Sequence, residues 1–159
     1  MSGAGKTTIG KKLLPMLNKH IGKFVFIDGD EVREIFGNDL SHKLEDRRKN
    51  ANRIKHLCKL FDKNNINVVC CILSIFEETR DWNRKNLKKY KEIYIKVSMN
   101  ELIRRDQKGL YKGALKNEIK NVVGFDIPFE EPSKSDIIIE NDGDESIDDI
   151  VIKIMKNIN

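Results

Sequence analysis

The sequence predicts an α/β fold: one domain of three layers, with helices on both faces of a mostly parallel sheet. Three observations predict it. Short apolar runs alternate with stretches of helical period along the whole chain. The apolar runs are continuous rather than alternating, as in strands buried on both faces and hence parallel. The 159 residues are enough for one core and hardly enough for two.

The elements follow in order. A first helix is predicted from Lys6 to about Lys19, with Ile9, Leu13 and Leu17 inward. Pro15 inside it removes the bond to Lys11 and is expected to kink it. "KFVFIDGD" is a β-branched and aromatic strand that ends in Asp-Gly. Ile54, Leu57, Cys58 and Phe61 recur at helical spacing and make one apolar stripe. "NVVCCILS", "EIYIKVS" and "DIIIEN" read as further strands. The segment 104–130 is basic, contains glycine and is weakly periodic. It is read as a lid whose helical pieces carry Arg104, Arg105, Lys108 and Lys112, with a solvated helical hairpin as the alternative. A last helix places Ile147, Ile150, Val151, Ile154 and Ile158 on one face, with Ser146 as N-cap.

Composition narrows the function classes. Hydrophobic residues make up 39% and charged residues 35%, as in a soluble globular domain. No apolar stretch approaches the length of a membrane span. No signal peptide opens the sequence, and Cys58, Cys70 and Cys71 show no metal-ligand spacing. Buried, reduced thiols in a cytoplasmic protein are the expectation. The net charge of +5 comes from basic residues that alternate with acids and are not interleaved with aromatics. That is a solvated lysine-rich surface and not a nucleic-acid footprint.

The chemistry is concentrated at the beginning. "SGAGKTT" matches all but the first glycine of G-x-x-x-x-G-K-[ST], so Ser2, Gly3, Ala4, Gly5, Lys6, Thr7 and Thr8 form a candidate phosphate loop. Its backbone N–H groups would turn around phosphate oxygens. Lys6 would reach the β- and γ-phosphates of ATP, and the Thr7 hydroxyl would ligate Mg²⁺. A plain glycine-rich turn is the alternative, which Gly-Lys-Thr before an apolar-periodic helix disfavours. The strand such a loop normally follows is not in the sequence. The expected fold is therefore a P-loop kinase sheet that lacks its first strand. Without that strand each buried orphan on its neighbours would cost about 1–3 kcal/mol. Met1 is accordingly read as an internal methionine, with the natural start about ten residues upstream.

The remaining candidates sit at strand tips, where open α/β sheets bind ligands. Asp28 and Asp30 leave the sheet there, and a carboxylate so placed takes a proton or holds a metal through water. A polar strand-to-helix turn is the alternative. In "LEDRRKNANRIKHL", Arg47 and Asn50 extend the buried stripe of Ile54 into the cleft, whereas Arg48 and Lys49 suit surface ion pairs. Ser74 ends another strand, as a ligand or a cap.

Taken together, "SGAGKTT", "DGDEVR", "NDL…EDRRKN", "LS", "RDQKGLYKGA" and "EIKNVVGFDIPFEEP" resemble the adenylyl-sulfate (APS) kinase family over nearly the whole length. The resemblance implies transfer of the γ-phosphate of ATP to the ribose 3′-hydroxyl of APS, giving PAPS, with Mg²⁺. It implies Asp28 as the acceptor-side carboxylate with Asp30 close by, and Arg33, Arg47 and Asn50 as acceptor ligands. Lys108, Leu110 and Tyr111 fall in the lid. Ser74 matches a serine described as a phosphoserine intermediate, but an unactivated serine needs a base beside it, so direct in-line transfer is favoured. The catalytic set is thus Asp28, Ser74 and Lys6. The partner is a small-molecule nucleotide; a homodimer is compatible with the resemblance.

Departures cluster on the acceptor side. His42 and Val122 stand where family members commonly sandwich adenine between two phenylalanines. Ser74-Ile75-Phe76-Glu77 replaces the usual Ser-Pro-Tyr-Arg, and Asp126-Ile127-Pro128 the usual Asp-Asp-Pro. The altered clamp raises a rival reading, a relative acting on cytidine diphosphoramidate in surface-polysaccharide modification. A non-catalytic nucleotide-binding module, or a truncated inactive remnant, is the reading of another class.

Overall fold

The computed structural model describes every residue except Gln107 and Asn159. Helix α1 (Lys6–His20) starts directly at the phosphate loop and buries Ile9, Gly10, Leu13 and Leu17, the predicted stripe. Pro15 is accommodated inside it. Strand β1 (Phe24–Asp28) leads into the short α2 (Gly29–Ile35), whose N-cap is Asp28. Helix α3 (Leu44–Lys63) buries Asn50, Ile54 and Cys58. Strand β2 (Asn67–Cys71) stops three residues before the predicted tip at Ser74. Helix α4 (Glu77–Asn86), β3 (Ile93–Lys96), α5 (Met99–Arg105), α6 (Leu110–Leu115), β4 (Ile137–Glu140) and α7 (Ile147–Ile158) complete the chain.

The strands pair in parallel, β1 with β2 and β3 with β4. They form two separate two-stranded sheets, not one continuous sheet. Helix α1 bridges them, because its buried side chains share one core with Ile95 of β3 and Ile137 and Ile139 of β4. It also packs on β1, β2 and α7.

Period-two alternation explains the layers over β1 and β2. Val25, Ile27, Val68 and Cys70 face α3, packed with Val32, Ile54 and Cys58. Phe24 and Val69 face the other way, into the core under α1. Close approach on that side requires Gly10: a Cβ there would collide with the Cys71 sulfur and press on the Phe26 ring. Over β3 and β4 the expectation of two buried faces fails. Ile137 and Ile139 are buried, but Ile138 between them is 55% exposed. Among the described residues no helix covers that face of β4 as α3 covers β2, and a run of three isoleucines alone does not reveal this.

The segment 104–130 is partly helical, as predicted. Asp106 accepts hydrogen bonds from the Tyr111 and Lys112 amides and so caps α6. Tyr111 is fully buried, stacks on Phe125 and donates its hydroxyl to the Ser2 carbonyl, which ties the segment to the phosphate loop. Burial pushes that hydroxyl's pKa up to about 12.

Candidate active site

The phosphate loop, the ends of β1 and β2, the start of α3 and the 104–130 segment enclose a cleft of about 720 Å³. That lies within the usual size of a ligand pocket, about 300–1,000 Å³. Each wall follows from local sequence. Gly5 has φ +88°, and a Cβ on it would stand 2.9 Å from Asn141 Nδ2, so only glycine fits that turn. Asn141 closes the loop from behind by donating to the Ala4 carbonyl at 3.0 Å. Lys6 donates to the Met1 carbonyl at 2.6 Å, and burial of its ammonium lowers its pKa. That is a cation short of solvation, ready for an anionic partner.

Thr7 and Asp28 meet across the cleft floor. The Thr7 hydroxyl donates to Asp28 Oδ2 at 2.6 Å, while Asp28 Oδ1 accepts from the Asp30 amide at 2.9 Å. Donating its proton leaves the Thr7 oxygen's lone pairs for a hard cation. No group of three or more His, Cys, Asp or Glu side chains is placed to hold a metal among the described residues. A divalent ion would therefore need phosphate oxygens and water as most of its ligands. That is how Mg²⁺ binds at phosphoryl-transfer sites, and the Thr7–Asp28 donor set fits it.

The acceptor wall carries Arg33, His42, Arg47 and Asn50. Arg33 donates to the carbonyls of Leu40 and Ser41. Arg47 donates to those of His42 and Asn121. Asn50 is buried, its Nδ2 reaches the Gly29 carbonyl only at 3.5 Å, and its Oδ1 has no partner. An orphan acceptor at a cleft wall calls for a ligand donor. Lys108 reaches over from the 104–130 segment to Asp30 at 2.7 Å and, chiefly through that hydrogen bond, lowers the Asp30 pKa. Desolvation, then Arg47 and Arg33, lower the pKa of His42.

The cleft brings together most residues named from sequence: Ser2, Gly3, Gly5, Lys6, Thr7, Thr8, Asp28, Asp30, Arg33, Arg47, Asn50, Lys108 and Leu110. Two do not line it. Ala4 is wholly buried behind the loop. Ser74 lies beyond the wall formed by Cys71, Ile72 and Leu73, and its carbonyl is held by Arg80 of α4 at 2.9 Å. Of the four cations named in the 104–130 segment, Arg105 and Lys108 reach the cleft, whereas Lys112 does not line it and Arg104 pairs with Glu101 outside it. The altered tip after Ser74 has its own structural use: Phe76 is buried beneath Arg48, which also pairs with Glu78.

Sequence reasoning missed two contributors. Asn141 follows β4 directly, a strand-tip position the same rule could have flagged. Cys71 touches the Lys6 carbonyl, and burial followed by Asp28 pushes its thiol up to about 11. No sequence signal separates it from a core cysteine.

Known proteins are similar to this chain along most of its length. The family model for adenylylsulphate kinase matches residues 1–140. A cytidine diphosphoramidate kinase of Campylobacter jejuni is 40% identical over 158 residues, 99% of this chain and 92% of the relative. An adenylyl-sulfate kinase of Clostridium acetobutylicum is 36% identical over 159 residues, 98% and 80% respectively. The solved APS kinase of Mycobacterium tuberculosis in complex with AMPPNP and APS superposes with a TM-score of 0.87 at 28% identity, covering 99% of this chain and 92% of that one. A phosphate loop facing a cationic acceptor wall, in a chain matched along most of its length, has one family reading: the chain belongs to the adenylylsulphate kinases, phosphotransferases that use ATP.

Proposed function

We propose that the chain transfers the γ-phosphate of ATP to the ribose 3′-hydroxyl of adenylyl sulfate, forming PAPS. The observation that carries the reading is the meeting of donor and acceptor machinery in one cleft, with Thr7 of the loop hydrogen-bonded to Asp28 at the acceptor wall. Lys6 and the loop amides hold the β- and γ-phosphates. Thr7 and the phosphates would hold Mg²⁺, which would supply charge neutralisation at the transferring group. Asp28 orients the acceptor hydroxyl and takes its proton, and Asn50 Oδ1 accepts from an acceptor hydroxyl or amino group. Arg33, Arg47 and Lys108 supply the positive field for the acceptor's phosphate and sulfate. Direct in-line transfer needs no covalent part from Ser74, a reading supported by its absence from the residues that line the cleft. Residues 1–159 act as one domain with 104–130 as its lid. A cytoplasmic homodimer is the working form we attach to this reading.

A second reading has its own observation. His42 and Val122 line the acceptor side, where a two-sided aromatic clamp would favour adenine. Base–aromatic stacking is worth about 1–3 kcal/mol per base. The 40% identity to the Campylobacter enzyme points the same way, to cytidine diphosphoramidate as acceptor. A panel of ATP–Mg²⁺ with each acceptor decides. ADP release with APS supports the first reading, turnover only with the cytidine compound supports the second, and ATP binding without acceptor-dependent turnover rejects both.

A further inference from the structure

Arg47 is the candidate acceptor ligand with the most work already assigned to it. Its Nε donates to the His42 carbonyl at 2.8 Å and its Nη2 to the Asn121 carbonyl at 2.9 Å. The two carbonyls belong to different walls. His42 ends the loop after α2, whose neighbouring carbonyls at Leu40 and Ser41 are gathered by Arg33. Asn121 lies in the 104–130 segment beside Val122. There it adopts φ +64°, and Asp126 holds the amides of Asn121 and Val122 at 2.5 and 2.6 Å. Among the described residues, only Arg47–Asn121 and Lys108–Asp30 join the 104–130 segment to the acceptor wall by side-chain hydrogen bonds. The Lys108–Asp30 pair is 65% exposed at both ends, so water competes with it. Arg47 is half-buried.

We infer that Arg47 is a positioning residue. Its forked guanidinium fixes the spacing between the His42 wall and the Val122 wall, and so sets which base the acceptor slot admits. This rests on the proposed reading that the slot takes a nucleotide. The physics is that of a planar fork: two donors in fixed relation set a distance, which a lysine with one rotatable ammonium cannot reproduce. His42 and Val122 both line the cleft, and neither an imidazole nor a valine offers much stacking, so a base held between their walls would depend on width for selectivity.

The test uses Arg47→Lys, which keeps the charge, and Asp126→Asn, which loosens the far wall without touching the slot. Hydrogen exchange across 119–127 and calorimetric binding of AMP and CMP are measured for both and for the parent. The expected result is faster exchange in 119–127 and an AMP-to-CMP affinity ratio shifted by about tenfold, the scale of one lost hydrogen bond. Both variants should shift it in the same direction. Unchanged exchange in Arg47→Lys overturns the strut. Faster exchange with both nucleotides weakened equally overturns its role in base choice, because that is what loss of a plain phosphate contact gives. If neither nucleotide binds the parent, there is no base slot and the inference fails with it. The kinase reading fails separately, by absence of acceptor-dependent ATP turnover while nucleotides still bind.

Discussion

Each polar residue of the cleft is either already committed or conspicuously free. Asp28 has both carboxylate oxygens engaged, Arg47 is a brace, and Asn50 Oδ1 has nothing. Lys6 is a buried cation on one carbonyl, so replacing it removes the charge meant for the phosphates. Lys6→Ala should lower kcat by at least about 10²–10³-fold, the cost of one preorganised charge-stabilising donor, in a steady-state ADP assay. Asp28→Asn should lower it by about 10²–10⁴-fold if the carboxylate takes the proton, with melting temperature as the control for folding. His42 gives a pH signature. Desolvation and its arginine neighbours depress its pKa, and an anionic acceptor beside the ring would raise it again. Acceptor binding is then linked to proton uptake, so affinity rises as pH falls through the His42 pKa of the complex and levels off below that of the free enzyme. KM for the acceptor, followed against pH, should show this slope in the parent and lose it in His42→Gln. The types and spacing of Lys6, Thr7, Asp28 and Asn50 were legible in the sequence because motif and strand-tip rules act on local chain. The brace made by Arg47 was not, since its far partner stands 74 positions away and is a backbone carbonyl.

Among the elements, helices were read more faithfully than strands. The stripe of α1 and that of α3 fix their buried faces, because a 3.6-residue period has only one way to meet a core. Strand extents were overread. "NVVCCILS" is strand only to Cys71; beyond it Arg80 holds the Ser74 carbonyl and Phe76 lies beneath Arg48. Ser74 is not among the residues that line the cleft. The exposed Ile138 shows the matching limit, that an apolar run does not say how many of its faces another layer will cover. At Gly10, α1 lies against β1 and β2 with no room for a Cβ, and sequence offers no sign of it within a helix. Gly10→Val would force α1 off β1 and β2. Overpacking of this kind costs about 1–3 kcal/mol, read as a lowered urea midpoint with unchanged m-value. A substitution that left the midpoint in place would show that α1 does not ride on Cys71 and Phe26.

At the scale of the molecule, two small parallel sheets are held as one body by α1 and by the core it shares with α7. Leu13 lies at the centre of that core, 4% exposed. Leu13→Ala should cost about 2–5 kcal/mol, and Trp82 fluorescence should still unfold together with far-UV circular dichroism. Separate transitions would mean that the sheets are independent. The same arrangement sets the site, because α1 presents the loop, β1 presents Asp28 and α3 presents the acceptor wall, all toward one cleft. Phosphoryl transfer from ATP to an acceptor ribose within that cleft is open to phosphorus NMR of a reaction holding ATP, Mg²⁺ and the nucleotide acceptor. A new phosphomonoester resonance coupled to the ribose H3′ is expected, growing with ADP and absent for Lys6→Ala. ADP formation that needs no acceptor, or a product signal that persists in Lys6→Ala, would contradict it.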